Sequence, residues 1–137
     1  MDYLFISIVQ AMNTGHAGSM STGHSNGAKD MLARLETMAL SGAELPVQVI
    51  RQQIASAIDL IVHLSRFRDG TRRVAEICEV ADVVNGEIVL NPLFRFEETG
   101  ERDGCVIGAL KATGNRLLHT DKLHMAGLSL QEGIDER

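Results

Sequence analysis

The sequence predicts an α/β fold in which helices occupy the first half of the chain and strands occupy the second. Three observations support this prediction. Apolar residues recur at helical spacing up to residue 58, they alternate at strand spacing from Leu60, and Asp-Gly and Asn-Gly pairs separate the later strands. At 137 residues the chain is long enough for one small domain and too short for two. We therefore expect one domain over residues 1–128 and a frayed tail over residues 129–137.

The chain begins with an apolar run that we expect to end as a helix at Gly15. Residues 18–22 are small and polar, which is typical of a strand end beneath a ligand, and His24 follows them. Open α/β sheets place their ligands at that edge. On spacing alone, however, His16 and His24 are better interpreted as polar residues of a surface loop than as ligands.

Two amphipathic helices are predicted next. The first covers residues 27–41 and directs Arg34 and Glu36 outwards, while the second begins at Leu45-Pro46 and directs Arg51 away from the core. Their buried positions are Met31, Leu32, Leu35, Met38 and Ala39 in the first helix, and Val47, Ile50, Ile54, Ala57 and Ile58 in the second.

Five strands and a final helix are predicted in the second half. Residues 59–65 are apolar on both sides, which is typical of a strand covered on both faces. Asp69-Gly70 and Asn85-Gly86 are preferred pairs for tight hairpins. The arginines near the first turn, at positions 66, 68, 72 and 73, are interpreted as a solvated hairpin. The other strands are expected at 72–83, 87–90, 93–97 and 105–112, and the helix at 117–128.

Composition and charge exclude several classes of function. Hydrophobic residues make up 45% of the chain and charged residues 23%, as in ordinary globular proteins. The net charge of −5 predicts no general attraction to nucleic acid or anionic lipid. Cys78 and Cys105 form no C-x-x-C pair, so we expect two reduced packing thiols and no structural zinc. The apolar start, about nine residues, is too short for a signal peptide or a membrane span.

A longer string is more specific than any of these patterns. Residues 13–38, NTGHAGSMSTGHSNGAKDMLARLETM, resemble the segment around the histidine box of the type II/type IV secretion ATPases, and are most similar to the tight-adherence (Flp) pilus-assembly branch. The resemblance continues through LPVQVIRQQIASAIDLIVHLSRFRDGTRRVAEICEV and LFRFEETG and covers residues 9–128. It implies the C-terminal part of a RecA-like P-loop NTPase domain, with the histidine box at residues 13–26 and parallel strands followed by an antiparallel extension.

The resemblance also implies roles for five residues. By the family's pattern, His24 is the catalytic histidine near the terminal phosphate of ATP, and Ser21, Thr22 and Asn26 sense the nucleotide. Arg34 matches an arginine that reaches a phosphate or a neighbouring subunit, and a surface salt bridge is its alternative role. The family binds ATP and magnesium through a phosphate loop, but no G-x-x-x-x-G-K-[ST] motif occurs in the 137 residues. We therefore expect no bound cofactor and no metal in this chain alone.

The implied function is that of the C-terminal portion of a secretion or pilus-assembly ATPase. In the complete family, subunits form hexameric rings at the cytoplasmic side of the inner membrane, beside secretion and pilus-assembly proteins, and ATP hydrolysis drives assembly or transport. Because the phosphate loop is missing, we expect this portion to be inactive alone and to expose a sheet edge and an apolar face. Residues 1–8 depart from the family, which indicates a late start codon or a truncated gene.

Two other functions stay open at this point. The first is a non-catalytic module or remnant that docks with an intact ATPase ring, or with itself, through the exposed sheet edge. The second, and the least favoured, is an unrelated histidine-dependent hydrolase, for which we expect no nucleophile-and-base signature such as G-x-S-x-G.

Overall fold

The computed structural model describes Gly18, residues 20–42 and residues 44–128. The helices α1 (Ala28–Gly42) and α2 (Val47–Ala57) precede four strands, β1 (Leu60–Arg66), β2 (Arg72–Val84), β3 (Glu87–Arg102) and β4 (Cys105–Ala112), and a short helix α3 (Asp121–Met125) follows them. The strands form one sheet in the order β1-β2-β3-β4, and each pairs antiparallel with the next. The predicted α/β class, with helices first and strands second, is confirmed. The helix end expected at Gly15 and the tail at 129–137 lie outside the described residues.

Helices α1 and α2 cover one face of the sheet. Their buried side chains form one core cluster, and three sheet residues, Ile61, Ile88 and Leu90, pack against it. The helical members of the cluster are Leu32, Ala39, Ile50 and Ile54. The predicted stripes are wrong at Met38 and Val47, each of which is 37% exposed because it lies at the border of the packed face. The sheet and helices therefore enclose a single apolar layer.

A polar network fixes the two helices to the sheet. The Arg51 guanidinium donates from Nε and Nη2 to Glu36 Oε1 at 3.1 and 2.9 Å, and from Nη1 to the Gly86 carbonyl at 2.6 Å. The prediction that Glu36 points outwards is wrong, since its side chain is only 20% exposed. Arg51 lies off the apolar core as predicted, although its side chain is only 29% exposed. The polar flanks of α1 and α2 face each other, and one guanidinium joins them to the β2–β3 turn.

Two turns have the geometry that their sequences favour. Asn85 and Gly86 have φ angles of 52° and 80° between the paired residues Val84 and Glu87, as in a two-residue type I′ hairpin. Asp103 and Gly104 repeat this geometry between β3 and β4, with φ angles of 52° and 77°. These turns set the register of the last three strands.

The β1–β2 connection is longer than predicted. It is a five-residue loop, residues 67–71, in which the Asp69 carboxylate accepts hydrogen bonds from the Thr71 hydroxyl at 2.6 Å and the Thr71 N–H at 2.9 Å. The same carboxylate accepts the Val106 N–H at 2.8 Å and pairs with Arg73. The hydrogen bond from the Thr71 hydroxyl is the largest cause that lowers the pKa of Asp69 to about 2. The predicted turn at Asp69-Gly70 is present, since the Gly70 N–H donates to the Phe67 carbonyl at 2.9 Å. The Phe67 N–H donates to the Thr71 carbonyl at 2.8 Å, so the turn is one residue longer than a two-residue hairpin.

The arginines of this loop are engaged by protein groups. Arg68 pairs with Glu98 and with Glu101 on β3. The Arg73 guanidinium lies 5.6 Å from the centre of the Phe67 ring, a cation–π distance. Arg68 is 53% exposed, in agreement with a solvated hairpin, whereas Arg73 is only 28% exposed and is less solvated than predicted.

Strand β3 continues through Pro92, where the sequence predicted a break between two strands. Pairing with β4 begins only at Phe94, opposite Ala112, so β4 needs no N–H donor at Pro92. On the other side, the register with β2 shifts between Ile77 and Cys78, next to the proline. A bulge on one side and the end of pairing on the other remove the usual penalty for proline in a strand.

Strand β1 lies at one edge of the described sheet. The prediction that both of its faces are covered is wrong. Leu60, Val62 and Leu64 are 50%, 50% and 61% exposed, because α1 and α2 cover only the opposite face. The parallel pairing implied by the family resemblance is not found among the described strands, which pair antiparallel.

The final helix is shorter than predicted, and one of the two thiols is exposed. The helix predicted over residues 117–128 is confined to Asp121–Met125, because the N–H groups of Leu118 and His119 donate to a side chain of β2. Cys78 is buried as predicted, but Cys105 is exposed. Within the described residues, no helix is both long and apolar enough to cross a membrane.

Candidate functional site

The predicted histidine-box residues lead directly into α1. The described residues of the segment 18–22 form no strand, so the prediction of a short strand there is wrong. A strand needs a neighbour to receive its backbone hydrogen bonds, and the described strands pair only among themselves. Residues 20–24 are instead exposed and irregular. Side chains of α1 contact this segment at Gly23 and at the His24 carbonyl.

Arg34 is the residue of α1 that holds this segment. Its Nη1 donates to the backbone carbonyl of His24, ten residues earlier in the chain. Gly23 lies against Met31, and a Cβ atom added at Gly23 would stand 2.5 Å from the Met31 Cε atom. A branched side chain at position 23 would therefore displace Met31. Two of the predicted residues, His24 and Arg34, are thus in contact, through the histidine backbone.

The start of α1 is capped by its own residues. The Asp30 carboxylate accepts the Asn26 N–H at 3.0 Å, and the Met31 N–H donates to the Gly27 carbonyl at 2.9 Å. A carboxylate in the first turn also interacts favourably with the positive end of the helix dipole. Asn26 is therefore fixed at the helix start through its backbone, while its side chain remains exposed.

An open cleft of about 530 Å³ lies beside this helix start. It is lined by the residues from Asn26 to Asp30, by Ala33, and by Glu76 of β2. Glu76 accepts a hydrogen bond from the Cys78 thiol at 3.0 Å. Burial is the main cause that raises the pKa of the Cys78 thiol to about 12, so the thiol stays protonated and donates to Glu76. The cleft thus combines the first residues of a helix with two carboxylates, those of Asp30 and Glu76, and one cation, that of Lys29.

Of the five predicted site residues, only Asn26 lines the cleft. His24 precedes the cleft and is held by Arg34, and Ser21 and Thr22 are exposed further along the same segment. Glu76 was not identified from the sequence. Its signal was the two-residue spacing from Cys78, which places both side chains on the same face of a strand.

The residues present do not fit the magnesium and ATP that the family resemblance implies. A phosphate loop is missing from the sequence, and within the described residues no group of three His, Cys, Asp or Glu side chains could hold a metal. Two carboxylates, Asp30 and Glu76, outnumber the one cation, Lys29, that lines the cleft, so they would repel a phosphate placed there. We therefore derive no step of phosphoryl transfer from this chain.

The expectation that the chain contains no G-x-S-x-G signature of a hydrolase is wrong. Residues 23–27, GHSNG, match the pattern G-x-S-x-G of a nucleophile elbow. That motif requires a strand before the serine, but residues 20–24 form none. The Ser25 hydroxyl donates instead to the Gly27 carbonyl at 2.9 Å. Its surroundings are those of a helix start, and the hydrolase hypothesis loses its geometric support.

Comparison with known proteins gives a consistent family. A family model described as type II/IV secretion system protein matches residues 2–116. The probable conjugal transfer protein TrbB of Sinorhizobium fredii is 35% identical over 97 residues, which cover 71% of this chain and 29% of that protein. The conjugal transfer protein TrbB of Rhizobium radiobacter is 36% identical over 93 residues, covering 68% of this chain and 28% of that protein.

A more distant organism contributes a similar match. A putative conjugal transfer protein of Mycobacterium tuberculosis is 36% identical over 72 residues, covering 53% of this chain and 20% of that protein. The chain thus spans only 20% to 29% of the length of these three relatives.

Proposed function

Because the chain belongs to the type II/IV secretion system protein family, we propose that it acts as the C-terminal portion of a hexameric secretion or pilus-assembly ATPase. In such an assembly, ATP hydrolysis drives the building of a pilus or the transport of protein. The match of the family model over residues 2–116 carries this proposal. The cytoplasmic side of the inner membrane, beside secretion and pilus-assembly proteins, is the proposed location.

Within that assembly, this portion supplies the sensor side of the nucleotide site. His24 is the proposed catalytic histidine, with Ser21, Thr22 and Asn26 as nucleotide-sensing residues and Arg34 as the residue that positions them. The geometry that supports this role is the contact of Arg34 with the His24 carbonyl, which leaves the histidine side chain exposed at the start of α1. An exposed side chain on an anchored backbone is available to a ligand held by another part of the ring.

Hydrolysis by this chain alone is not part of the proposal. Phosphoryl transfer requires a phosphate cradle, a metal and an oriented water, since its catalysis consists mostly of positioning and charge stabilisation. The sequence lacks the phosphate loop that would supply the cradle. The missing groups would come from another part of the assembly.

Two branches of the family are candidates for the assembly that contains this portion. The string of residues 13–38 favours the tight-adherence pilus-assembly branch. The names of the similar proteins favour conjugal transfer instead. We propose the tight-adherence branch on the string and keep conjugal transfer as the alternative.

Nucleotide binding by the purified chain tests the proposal. Titration with ATP and magnesium should show no turnover and no binding tighter than millimolar, because the principal phosphate ligands are missing. A His24→Ala variant and a matched His124→Ala variant, whose histidine is exposed on α3, are measured alongside. Turnover that disappears in His24→Ala and persists in His124→Ala would contradict the proposal, since the chain would then complete a nucleotide site by itself.

One observation favours a second candidate, a non-catalytic module that docks through its sheet edge. Leu60, Val62 and Leu64 are exposed on β1, which lies at the edge of the described sheet. Sedimentation velocity over a range of concentrations tests self-docking. This candidate predicts association that weakens in Val62→Lys, and a single monomeric species at all concentrations would exclude self-docking.

A further inference from the structure

The chain after β4 turns back across the sheet, and we name residues 113–119 the strap. The Asn115 side chain donates from Nδ2 to the Pro92 carbonyl at 2.9 Å. The Asn91 side chain donates from Nδ2 to the Arg116 carbonyl, also at 2.9 Å. These contacts lead the strap from the end of β4 over β3 to β2.

On β2, a single carboxylate receives the end of the strap. Glu79 Oε1 accepts the Leu118 N–H at 2.9 Å and the Asn91 Nδ2 at 3.0 Å, while Oε2 accepts the His119 N–H at 2.9 Å. The His119 ring nitrogen Nε2 also contacts the Ala81 carbonyl. Burial of Glu79 opposes ionisation, but the hydrogen bonds from Leu118, Asn91 and His119 outweigh it, so that the pKa of this carboxyl is lowered. The carboxylate is therefore ionised and satisfied by the strap.

Apolar burial contributes little to holding the end of the strap. Leu117 is half-buried, but Leu118 is 62% exposed, and Arg116 and His119 are exposed as well. Glu79, by contrast, is only 2% exposed and is the buried charged side chain of the described core. Hydrogen bonds to a charged group are stronger than neutral ones. The attachment of the strap thus depends mainly on one side chain that belongs to the sheet.

The sheet beneath the strap has its own support. The backbone of Glu79 is paired with Leu60 on one side and with Asn91 on the other. The Val80 N–H donates to the Asp59 carbonyl at 2.9 Å, again independently of the strap. The Thr113 N–H, at the start of the strap, donates to the Leu93 carbonyl at 2.9 Å. Opening of the strap beyond Thr113 therefore breaks contacts that involve side chains and leaves the strand ladder intact.

We propose that residues 113–119 form a releasable strap, which Glu79 holds across the sheet and which opens while the helices and the sheet remain folded. Opening exposes the Glu79 carboxylate, the Asn91 amide and the face of the sheet around them. An extended peptide that offers two successive N–H donors has the chemistry to take the place of the strap. The proposal is independent of nucleotide binding.

Hydrogen exchange of the complete chain tests the proposal without any substitution. The amides of Leu118 and His119 share one acceptor group and should exchange together, at least about tenfold faster than the Val80 amide of the ladder. Exchange of both amides as slowly as that of Val80 would overturn the proposal, because the strap would then open only when the whole chain unfolds.

A Glu79→Gln variant tests the part played by the carboxylate. The glutamine amide places an N–H₂ group against at least one N–H donor, so exchange of Leu118 and His119 should accelerate by at least about tenfold. Trypsin cleavage after Arg116 should accelerate in parallel. The matched control is Glu97→Gln, which removes the same charge from an exposed position on β3 and should change neither rate.

Two results of this comparison would overturn the proposal. One is unchanged exchange and cleavage in Glu79→Gln, which would mean that the carboxylate does not hold the strap. The other is loss of Val80 protection in the same variant, since the strap and the sheet would then open as one unit. Because the exchange rates of the unsubstituted chain are measured first, the proposal remains decidable even where the variant folds poorly.

Discussion

Ile54 of α2 is the side chain through which the layering of helices on the sheet is most directly tested. It is 1% exposed and belongs to the cluster formed with Leu32, Ala39 and Ile50. Replacement by alanine removes about three methyl or methylene groups, each worth about 0.8 kcal/mol when buried. A residual cavity adds to this loss, and buried isoleucine-to-alanine changes cost about 2–5 kcal/mol in total. We expect Ile54→Ala to lower the free energy of unfolding by about 3 kcal/mol.

Urea unfolding followed by circular dichroism measures this loss. With a slope of about 1–3 kcal/mol per molar urea, the midpoint should fall by about 1–3 M while the slope stays unchanged. The matched control is Val49→Ala on the same helix, where the side chain is 41% exposed and the loss should stay below about 1 kcal/mol. Equal losses in the two variants, or no loss in Ile54→Ala, would refute the packing of α2 against the sheet.

Single positions in the turns, the loop and the strands give three further predictions. Gly86→Ala should lower the free energy of unfolding by about 1 kcal/mol or more, because Gly86 has a φ of 80°. Gly100→Ala, where an added Cβ meets open space, should be nearly neutral. Equal losses for the two variants in urea unfolding would contradict this prediction. Because the pKa of Asp69 is lowered to about 2, its stabilising contribution is complete above about pH 4 and is lost as the pH falls towards 2. Asp69→Asn should therefore lower the urea midpoint at neutral pH and flatten its fall in acid, and an unaltered pH profile would contradict the role of this carboxylate. An aromatic disulfide reagent should modify only the Cys105 thiol in the folded chain, because Cys78 is buried and the pKa of its thiol is raised to about 12. In guanidinium it should modify both thiols. Rapid reaction of two thiols in the folded chain would contradict this prediction.

Local signals in the sequence were sufficient for most of the fold. Asn85-Gly86 specified a type I′ turn, and the alternating pattern of CVIGALKA gave β4 its observed bounds, Cys105–Ala112. The stripe containing Ile50 and Ile54 gave the buried face of α2. Each of these signals acts within about ten residues, so the sequence pattern is enough to determine it.

The errors occurred where contacts between distant residues decide the local structure. Pro92 lies inside a strand because β4 stops short of it, which depends on residues about 20 positions later in the chain. The final helix is shortened because Glu79 takes the N–H groups of Leu118 and His119, 39 and 40 residues away. A helix-like pattern of apolar residues carries no information about such a distant acceptor.

The candidate site was predicted from family resemblance more than from local chemistry. The resemblance directed attention to His24 and Arg34, and the structure brings these two residues into contact. The Glu76 carboxylate in the neighbouring cleft was missed. Its two-residue spacing from Cys78 places both side chains on one face of β2, but that spacing does not distinguish a cleft from a solvated face. The sensing roles of Ser21, Thr22 and Asn26 stay predictions.

Transfer of this chain into a working enzyme tests the central claim most directly. Residues 13–128 would replace the matching segment of an intact ATPase of the type II/IV secretion family, and ATP hydrolysis would be measured for the chimera, for its His24→Ala variant and for its His124→Ala variant. Our account predicts that the chimera hydrolyses ATP, that His24→Ala abolishes hydrolysis, and that His124→Ala retains it. Hydrolysis by the His24→Ala chimera at the rate of the parent chimera would contradict the claim that this portion supplies the catalytic histidine of a secretion ATPase.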